Sequence, residues 1–394
     1  MTCIARLRAG SASSSPPVPR SVLFLVLLIA GVAVLGGCAR SPLSGPGEVL
    51  AEERAGFGRG AFRLLDERLR EAHHRTAIPG GTLVVYRHNA PVYRRGFGTA
   101  SGVDTLYDLG SLTKPLAGPV AVLEMERRGE HVDQVQWILA HRTMLSDEEE
   151  FEALLEAALY ASRAELLTAG ERRLAALEPA GSSVYTYSNT AYALLSLAYA
   201  RGVEDPAGEL GVRLAGLAGS REVSFRPDGN SRVVPSGRTR TGAVLRGRPY
   251  DPLADLLVSQ FDIPPLHSGL FASADAVAGH FAGVLAAGEA DEERGRLRSW
   301  LFEEVTERRD SRTDRRLYAG EGGLHSPTGR PWAPEGARPG HFFVQTGYTG
   351  CLLWVDIERE IVAVLLTNAS LTDAREEWRE FGAEIVRALH AGAQ

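Results

Sequence analysis

Ser111 and Lys114 stand three residues apart in the stretch Tyr107-Asp108-Leu109-Gly110-Ser111-Leu112-Thr113-Lys114-Pro115, and Lys114 is the only lysine in the chain. Every other strongly basic side chain is an arginine. A guanidinium keeps its charge at any working pH, whereas an amine loses its proton more readily when buried. Lysine at this one place points to a site that needs an amine able to be neutral. If the segment opens a helix, positions i and i+3 share a face, so hydroxyl and amine meet. That is the arrangement of a serine nucleophile beside a lysine base. Burial disfavours an ammonium, and so does the positive end of a helix N-terminus.

The elements that must hold this pair follow from periodicity. A helical pattern over residues 111–128 carries both residues at its start, with Gly129 as its stop. Pro115 cannot donate to the carbonyl of Ser111, which predicts an irregular first turn. Ahead of it, Phe62, Leu64, Leu65 and Leu69 recur at helical spacing within 52–75, and Ile78-Pro79-Gly80-Gly81 stops that helix. Residues 82–87 and 91–97 read as two strands joined by His88-Asn89-Ala90. Residues 133–202 are mostly helical in pattern, with an acidic stretch at 147–177. The sequence predicts long loops between 201 and 250, helices over 273–285 and 294–309, and loops over 310–337. At the end, 341–345, 350–356 and 361–367 are strand-like. Ser370-Leu371-Thr372-Asp373 then reads as a capping box opening a helix to about His390. Strands at both ends with helices between predict an α+β fold. Its antiparallel five-stranded sheet is closed from two distant pieces of chain and flanked by helices. Residues 52–128 and about 310–394 form the α/β part, and about 129–309 a mostly helical insert.

Two further signals follow Ser111 and Lys114 in chain order. Val184-Tyr185-Thr186-Tyr187-Ser188-Asn189-Thr190 precedes an apolar helix, and Gln345-Thr346-Gly347-Tyr348-Thr349-Gly350 opens a late strand. Read singly, Tyr187 is an ordinary aromatic, Asn189 a helix cap, and Gly347 and Gly350 turn residues. Together, Ser-x-x-Lys, Tyr-x-Asn and Thr-Gly in this order resemble the serine β-lactamase and penicillin-binding superfamily. The likeness is to its class C β-lactamase, D-alanyl peptidase and esterase group. It runs from Ile78 to the C-terminus and includes Gly96-Phe97-Gly98, Asp104-Thr105-Leu106-Tyr107 and His267-Ser268-Gly269-Leu270-Phe271.

The resemblance implies a β-lactamase/transpeptidase-like fold and an acyl-enzyme on Ser111. Lys114 takes the serine proton or keeps Tyr187 poised to take it. Tyr187 passes a proton to the leaving group, and Asn189 hydrogen-bonds Lys114 and the substrate. Backbone N–H groups of Ser111 and Tyr348 form the oxyanion hole. Gln345, Thr346 and Gly347 line the substrate strand. No cofactor and no metal are implied. Gln345 departs from the family pattern, which has Lys or His there. A cation at that position attracts a substrate carboxylate; Gln345 carries no charge. Esters or amides without a carboxylate at that position are therefore expected as substrates, with β-lactams poorly hydrolysed. The alternatives are a D-alanyl carboxypeptidase or true β-lactamase on peptidoglycan-like amides, and a catalytically silent penicillin-binding or sensor module. His141-Arg142-Thr143-Met144-Leu145 lacks the glycine of the family's His-Thr-Ser-Gly-Leu loop, leaving that turn open.

The 394 residues and a net charge of −6 suit a globular protein, and no basic run interleaved with aromatics suggests a nucleic-acid partner. No Gly-x-Ser-x-Gly elbow and no His-Glu-x-x-His occur, which disfavours an α/β-hydrolase and a zincin. Arg6, Arg8 and Arg20 precede an apolar run at 21–35, and Leu35-Gly36-Gly37-Cys38 resembles a bacterial lipobox. The expectation is a lipoprotein signal over 1–37, a lipid on Cys38, a tether over 38–51 and a place in the bacterial envelope. A monomer acting on a small ester, amide or peptidoglycan-like molecule is expected. Of the cysteines, Cys3 leaves with the signal and Cys351 stays as a small buried residue.

Overall fold

Apolar residues run almost without a break through the late strands because both faces of the sheet they build are covered. The computed structural model describes residues 44–394 except 49, 101, 131–133, 146, 228, 329–330 and 373. The signal segment, Cys3, Cys38 and the start of the tether lie outside the described residues. Strands β1 (Ser44–Glu48), β2 (Gly80–Arg87), β3 (Ala90–Gly98), β4 (Val184–Tyr185) and β5 (Val305–Asp310) join one sheet. So do β6 (Arg316–Gly320), β7 (His325–Pro327), β8 (Phe342–Gly347), β9 (Cys351–Asp356) and β10 (Ile361–Thr367). The ten run in the order β1-β3-β2-β10-β9-β8-β7-β6-β5-β4. All neighbours are antiparallel except β5 and β4. The expected five strands are its centre, and β10 on β2 closes the two ends of the chain, Val364 facing Val84.

Period-two side-chain alternation splits the core. Val84, Leu353, Val355, Val362, Val364 and Leu366 face the helical region. Leu83, Val85, Leu352, Trp354, Ala363 and Leu365 face the terminal helices α1 (Ala61–Arg75) and α5 (Arg375–Gly392). On the inner side run α2 (Thr113–Arg127), α3 (Asn189–Tyr199) and α4 (Ala274–Leu285), the last packed on β10 and β2. Helix α2 is buried almost all round, as a central helix must be when apolar on every face.

Several sequence expectations change. Residues 44–48, read as tether, form an edge strand against β3. The helix expected over 294–309 ends early: a helix spans Glu292–Arg298, a π turn follows, and β5 takes Val305–Asp310. The inward residue of β5 is Arg308, 2% exposed, which donates to the Ala140 carbonyl at 2.7 Å and pairs with Glu321. A buried arginine where an apolar residue would mark the inner face hid this strand. The loops expected over 310–337 contain β6 and β7, and those between 201 and 250 contain a helix at Pro206–Ala218. The final helix has Ala374 as its N-cap with no side-chain cap bond. Ala369–Leu371 forms a 3-10 turn instead, and Asp373 lies outside the described residues.

Candidate active site

The site is built where the end of β8 meets the turn before α2. Gly110–Leu112 is a 3-10 turn and the α-helix begins at Thr113, so the irregular start predicted from Pro115 is present. Pro115 sits in the first helical turn, where a missing N–H costs little. Asp108 holds the turn from below. Its Oδ1 accepts the Gly110 N–H at 3.0 Å and its Oδ2 the Tyr250 N–H at 2.7 Å. Burial pushes the Asp108 carboxyl up to about 6. Gly110 has φ 51°, in the region that favours glycine. A Cβ on Gly347 would lie 2.3 Å from the Leu109 carbonyl oxygen. A Cβ on Gly110 would lie 3.1 Å from the Tyr348 nitrogen. Strand end and turn therefore touch through backbone, which puts the Tyr348 amide beside the turn that carries Ser111.

Around Ser111 Oγ, Lys114 Nζ lies at 3.1 Å and Tyr187 Oη at 2.7 Å. Lys114 is fully buried. Its Nζ also donates to Asn189 Oδ1 and to the His267 carbonyl, each at 2.7 Å. Asn189 opens α3, but the cap is Ser188, whose Oγ accepts the Ala191 N–H at 3.1 Å. The asparagine is thereby spared for the lysine.

Tyr187 is held by His141 at three points. The His141 carbonyl accepts the Thr186 N–H at 2.7 Å. Its Nδ1 accepts the Ser188 N–H at 3.2 Å. Its ring stacks on that of Tyr187 with centroids 4.7 Å apart and planes 25° apart. An acceptor at Nδ1 places the proton of the neutral ring on Nε2. Burial holds this imidazole well below its ordinary range. Met144, which stands in the place of the family's glycine, is not among the described residues with positive φ, whereas His141, three residues earlier, has φ 53°.

These groups open on a cleft of about 670 Å³ whose lining includes Ser111, Tyr187, Asn189, Gln345, Thr346 and Tyr348. One wall is a stack: Tyr250 lies on Tyr348 at 5.3 Å, and the Arg375 guanidinium sits 3.4 Å from the centroid of the Tyr348 ring. Arg312 donates to the Tyr187 carbonyl at 3.1 Å. A second hollow of the same volume, lined by Glu126, Arg142, Trp300 and Glu321, holds none of these groups.

Ser111 and Lys114, and Tyr187 and Asn189 from some 75 residues further along the chain, thus form one hydrogen-bonded set. Gln345, Thr346, Gly347 and Tyr348 line the same cleft, and Cys38 lies outside the described residues. Asp108, His141, His267 and Asp251 were not singled out by sequence as site residues. Asp251 Oδ1 lies 3.1 Å from His267 Nε2 and also caps the helix Pro252–Phe261. The only signal for Asp108, His141 and His267 was their place inside motifs quoted for other reasons, and Asp251 lies in none of them. Among the described residues no cluster of three or more His, Cys, Asp or Glu could hold a metal ion. Nor is any helix long and apolar enough to cross a membrane among them.

The family model described as Beta-lactamase matches residues 65–387. No curated protein sequence matches significantly. Among solved structures, a penicillin-binding protein homologue from Caulobacter crescentus superposes with a TM-score of 0.60 at 15% identity, covering 89% of this chain and 100% of the other. A beta-lactamase/D-alanine carboxypeptidase from Pseudomonas syringae gives 0.62 at 14% identity, over 85% and 99% of the two chains. EstCE1, a hydrolase with promiscuous acyltransferase activity, gives 0.58 at 16% identity, over 84% and 99%. At such identities these likenesses speak to the fold alone.

Proposed function

The chain belongs to the beta-lactamase family, and from that footing we propose that it is a serine hydrolase that cleaves an ester or amide through an acyl-enzyme on Ser111. The observation that carries this is the bracketing of Ser111 Oγ by Lys114 Nζ at 3.1 Å and Tyr187 Oη at 2.7 Å, on the wall of an open cleft. Asn189 Oδ1 and the His267 carbonyl can only accept, so each takes one N–H of Lys114. The third direction on Nζ faces Ser111. A neutral amine points its lone pair there and takes the serine proton itself. An ammonium points its third N–H there, and Tyr187, then a phenolate beside that charge, takes the proton. By either route Ser111 Oγ is freed to attack the carbonyl carbon.

The tetrahedral oxyanion then faces the Ser111 and Tyr348 amides, for which no acceptor occurs among the described residues. Each such donor is worth about 10²–10³-fold in rate. Collapse expels the alcohol or amine, which leaves with a proton from Tyr187. Water, deprotonated by the same pair, attacks the acyl carbon and restores Ser111 as the acid departs. We further propose that the chain is tethered to the bacterial envelope through a lipid on Cys38, supported by Leu35-Gly36-Gly37-Cys38.

A second reading, D-alanyl carboxypeptidase or true β-lactamase, is favoured by Arg375 and Arg379, which bring positive charge to the same cleft. Side-by-side kinetics on a neutral acyl ester, a penicillin and a D-alanyl-D-alanine peptide separate the two. The expected result is ester turnover well above penicillin turnover, abolished in Ser111→Ala. Fast penicillin or peptide turnover would establish the second reading. No turnover of any substrate by folded protein would leave a binding module.

A further inference from the structure

Asp251 stands at the far end of a chain of contacts that leads to the nucleophile. Its Oδ1 accepts the Ala254 N–H at 2.9 Å and lies 3.1 Å from His267 Nε2. The His267 carbonyl takes an N–H of Lys114, and Lys114 reaches Ser111. His267 is fully buried and its Nδ1 has no partner. A second proton on Nδ1 would be buried with no acceptor. The ring therefore gives Asp251 a hydrogen bond through Nε2 and no counter-charge. Burial opposes the charge of Asp251, yet its contacts with His267 and Ala254 leave the carboxyl below its ordinary value. It is ionised at neutral pH.

The second oxygen is in a different position. No donor among the described residues reaches Asp251 Oδ2, and that atom is not sealed from solvent. The side chain is 27% exposed and lines the cleft that holds Ser111. Asp310, the other carboxylate of the lining, is turned to its own loop, where Oδ1 accepts the N–H groups of Arg312 and Thr313 at 2.8 Å. Beside Asp251 in the chain, Tyr250 lies stacked on Tyr348, and both rings line the cleft. Tyrosine ring faces attract a cation. An open carboxylate oxygen thus meets an aromatic wall one residue away from the contact that fixes Lys114.

We propose that Asp251 Oδ2 is a cation subsite of the cleft, selecting esters or amides that carry an ammonium group. This rests on Ser111 being the nucleophile. An ammonium donates to the free oxygen and meets its charge, which makes a charge-assisted bond. A methyl group in the same place displaces water from the carboxylate and gives it nothing in return. A carboxylate there sets like charges together.

The test uses two panels of matched esters, one varied on the acyl chain and one on the leaving alcohol, each ending in an ammonium, a methyl or a carboxylate. In the unaltered protein, kcat/KM for the ammonium ester should exceed that of its methyl partner about tenfold in one panel, with the carboxylate lowest there. In Asp251→Asn that ratio should fall to about one. Asparagine keeps an Oδ1 acceptor for His267 and Ala254, and a ratio taken within one variant cancels any change that reaches Lys114 through His267. Asp251→Ser also caps a helix and gives the same readout if the asparagine variant does not fold. Equal treatment of ammonium and methyl esters in both panels, or a preference that survives loss of the carboxylate, overturns the subsite. Labelling of Ser111 by a fluorophosphonate with no ester preferred overturns the subsite alone. No turnover of any ester and no such labelling overturns the nucleophile and the subsite with it.

Discussion

His141 offers a quantitative test of how Tyr187 is positioned, because one residue holds the backbone on both sides of the phenol as well as its ring. Substitution by alanine keeps the backbone bond to Thr186 and removes the other two contacts. The Ser188 N–H, in a fully buried residue, then loses its acceptor, at about 1–3 kcal/mol. The lost ring contact adds about 0.5–1.5 kcal/mol. With its support gone, Tyr187 Oη moves from its 2.7 Å contact with Ser111 Oγ; a displacement of about 1 Å costs about 10²-fold in rate. His141→Ala should therefore lower both stability and the acylation rate, the latter about 10²-fold, with little change in KM. His141→Asn restores an acceptor where Nδ1 stood and suits the positive φ, so it should recover about tenfold of that loss. Stability is read by urea unfolding, and acylation by the pre-steady-state burst with a p-nitrophenyl ester. A His141→Ala protein that unfolds more easily yet acylates at the original rate would refute the positioning role.

Other consequences are as direct. His280 on α4 is 1% exposed and neither ring nitrogen has a partner; burial pushes it down to about 3. Its folded value lies below the unfolded ~6.5, so its stabilising contribution is complete above that pH and is lost as pH falls toward the folded value. At pH 5 the loss is about 2 kcal/mol. His280→Leu should remove that share of the acid sensitivity and add about 1–2 kcal/mol at pH 7. Urea unfolding at pH 7 and 5 checks this; an unchanged difference between the two contradicts it. Gly347→Ala drives a Cβ to 2.3 Å from the Leu109 carbonyl, and backbone must move to admit it. Turnover should fall at least about 10²-fold, and turnover equal to that of the parent in the steady-state ester assay would contradict the close approach.

The central strands were legible because the sheet is covered on both faces and its apolar runs are short and nearly unbroken, as in 351–356 and 361–367. The outer strands were not. β5 places Arg308 inward, and β1 is a short Gly- and Pro-containing edge. Ser111 and Lys114 were legible because a chain with one lysine draws attention to it, and the meeting at 3.1 Å follows from local spacing across the turn. Tyr187 and Asn189 needed the family resemblance, since 75 residues separate Asn189 from Lys114 and no local rule joins them. His141 and Asp108 act through backbone bonds to neighbours of the reacting groups, a role that leaves no spacing to read. The choice of Ser188 over Asn189 as helix cap was likewise settled only by where the asparagine amide could reach.

The most direct test of the account is the intact mass of the protein after a fluorophosphonate, followed by peptide mapping. One adduct should form, on the peptide containing Ser111; it should be absent in Ser111→Ala and form far more slowly in Lys114→Met. An adduct that survives Ser111→Ala, or maps elsewhere, would contradict the claim that a buried amine and a phenol make this hydroxyl reactive.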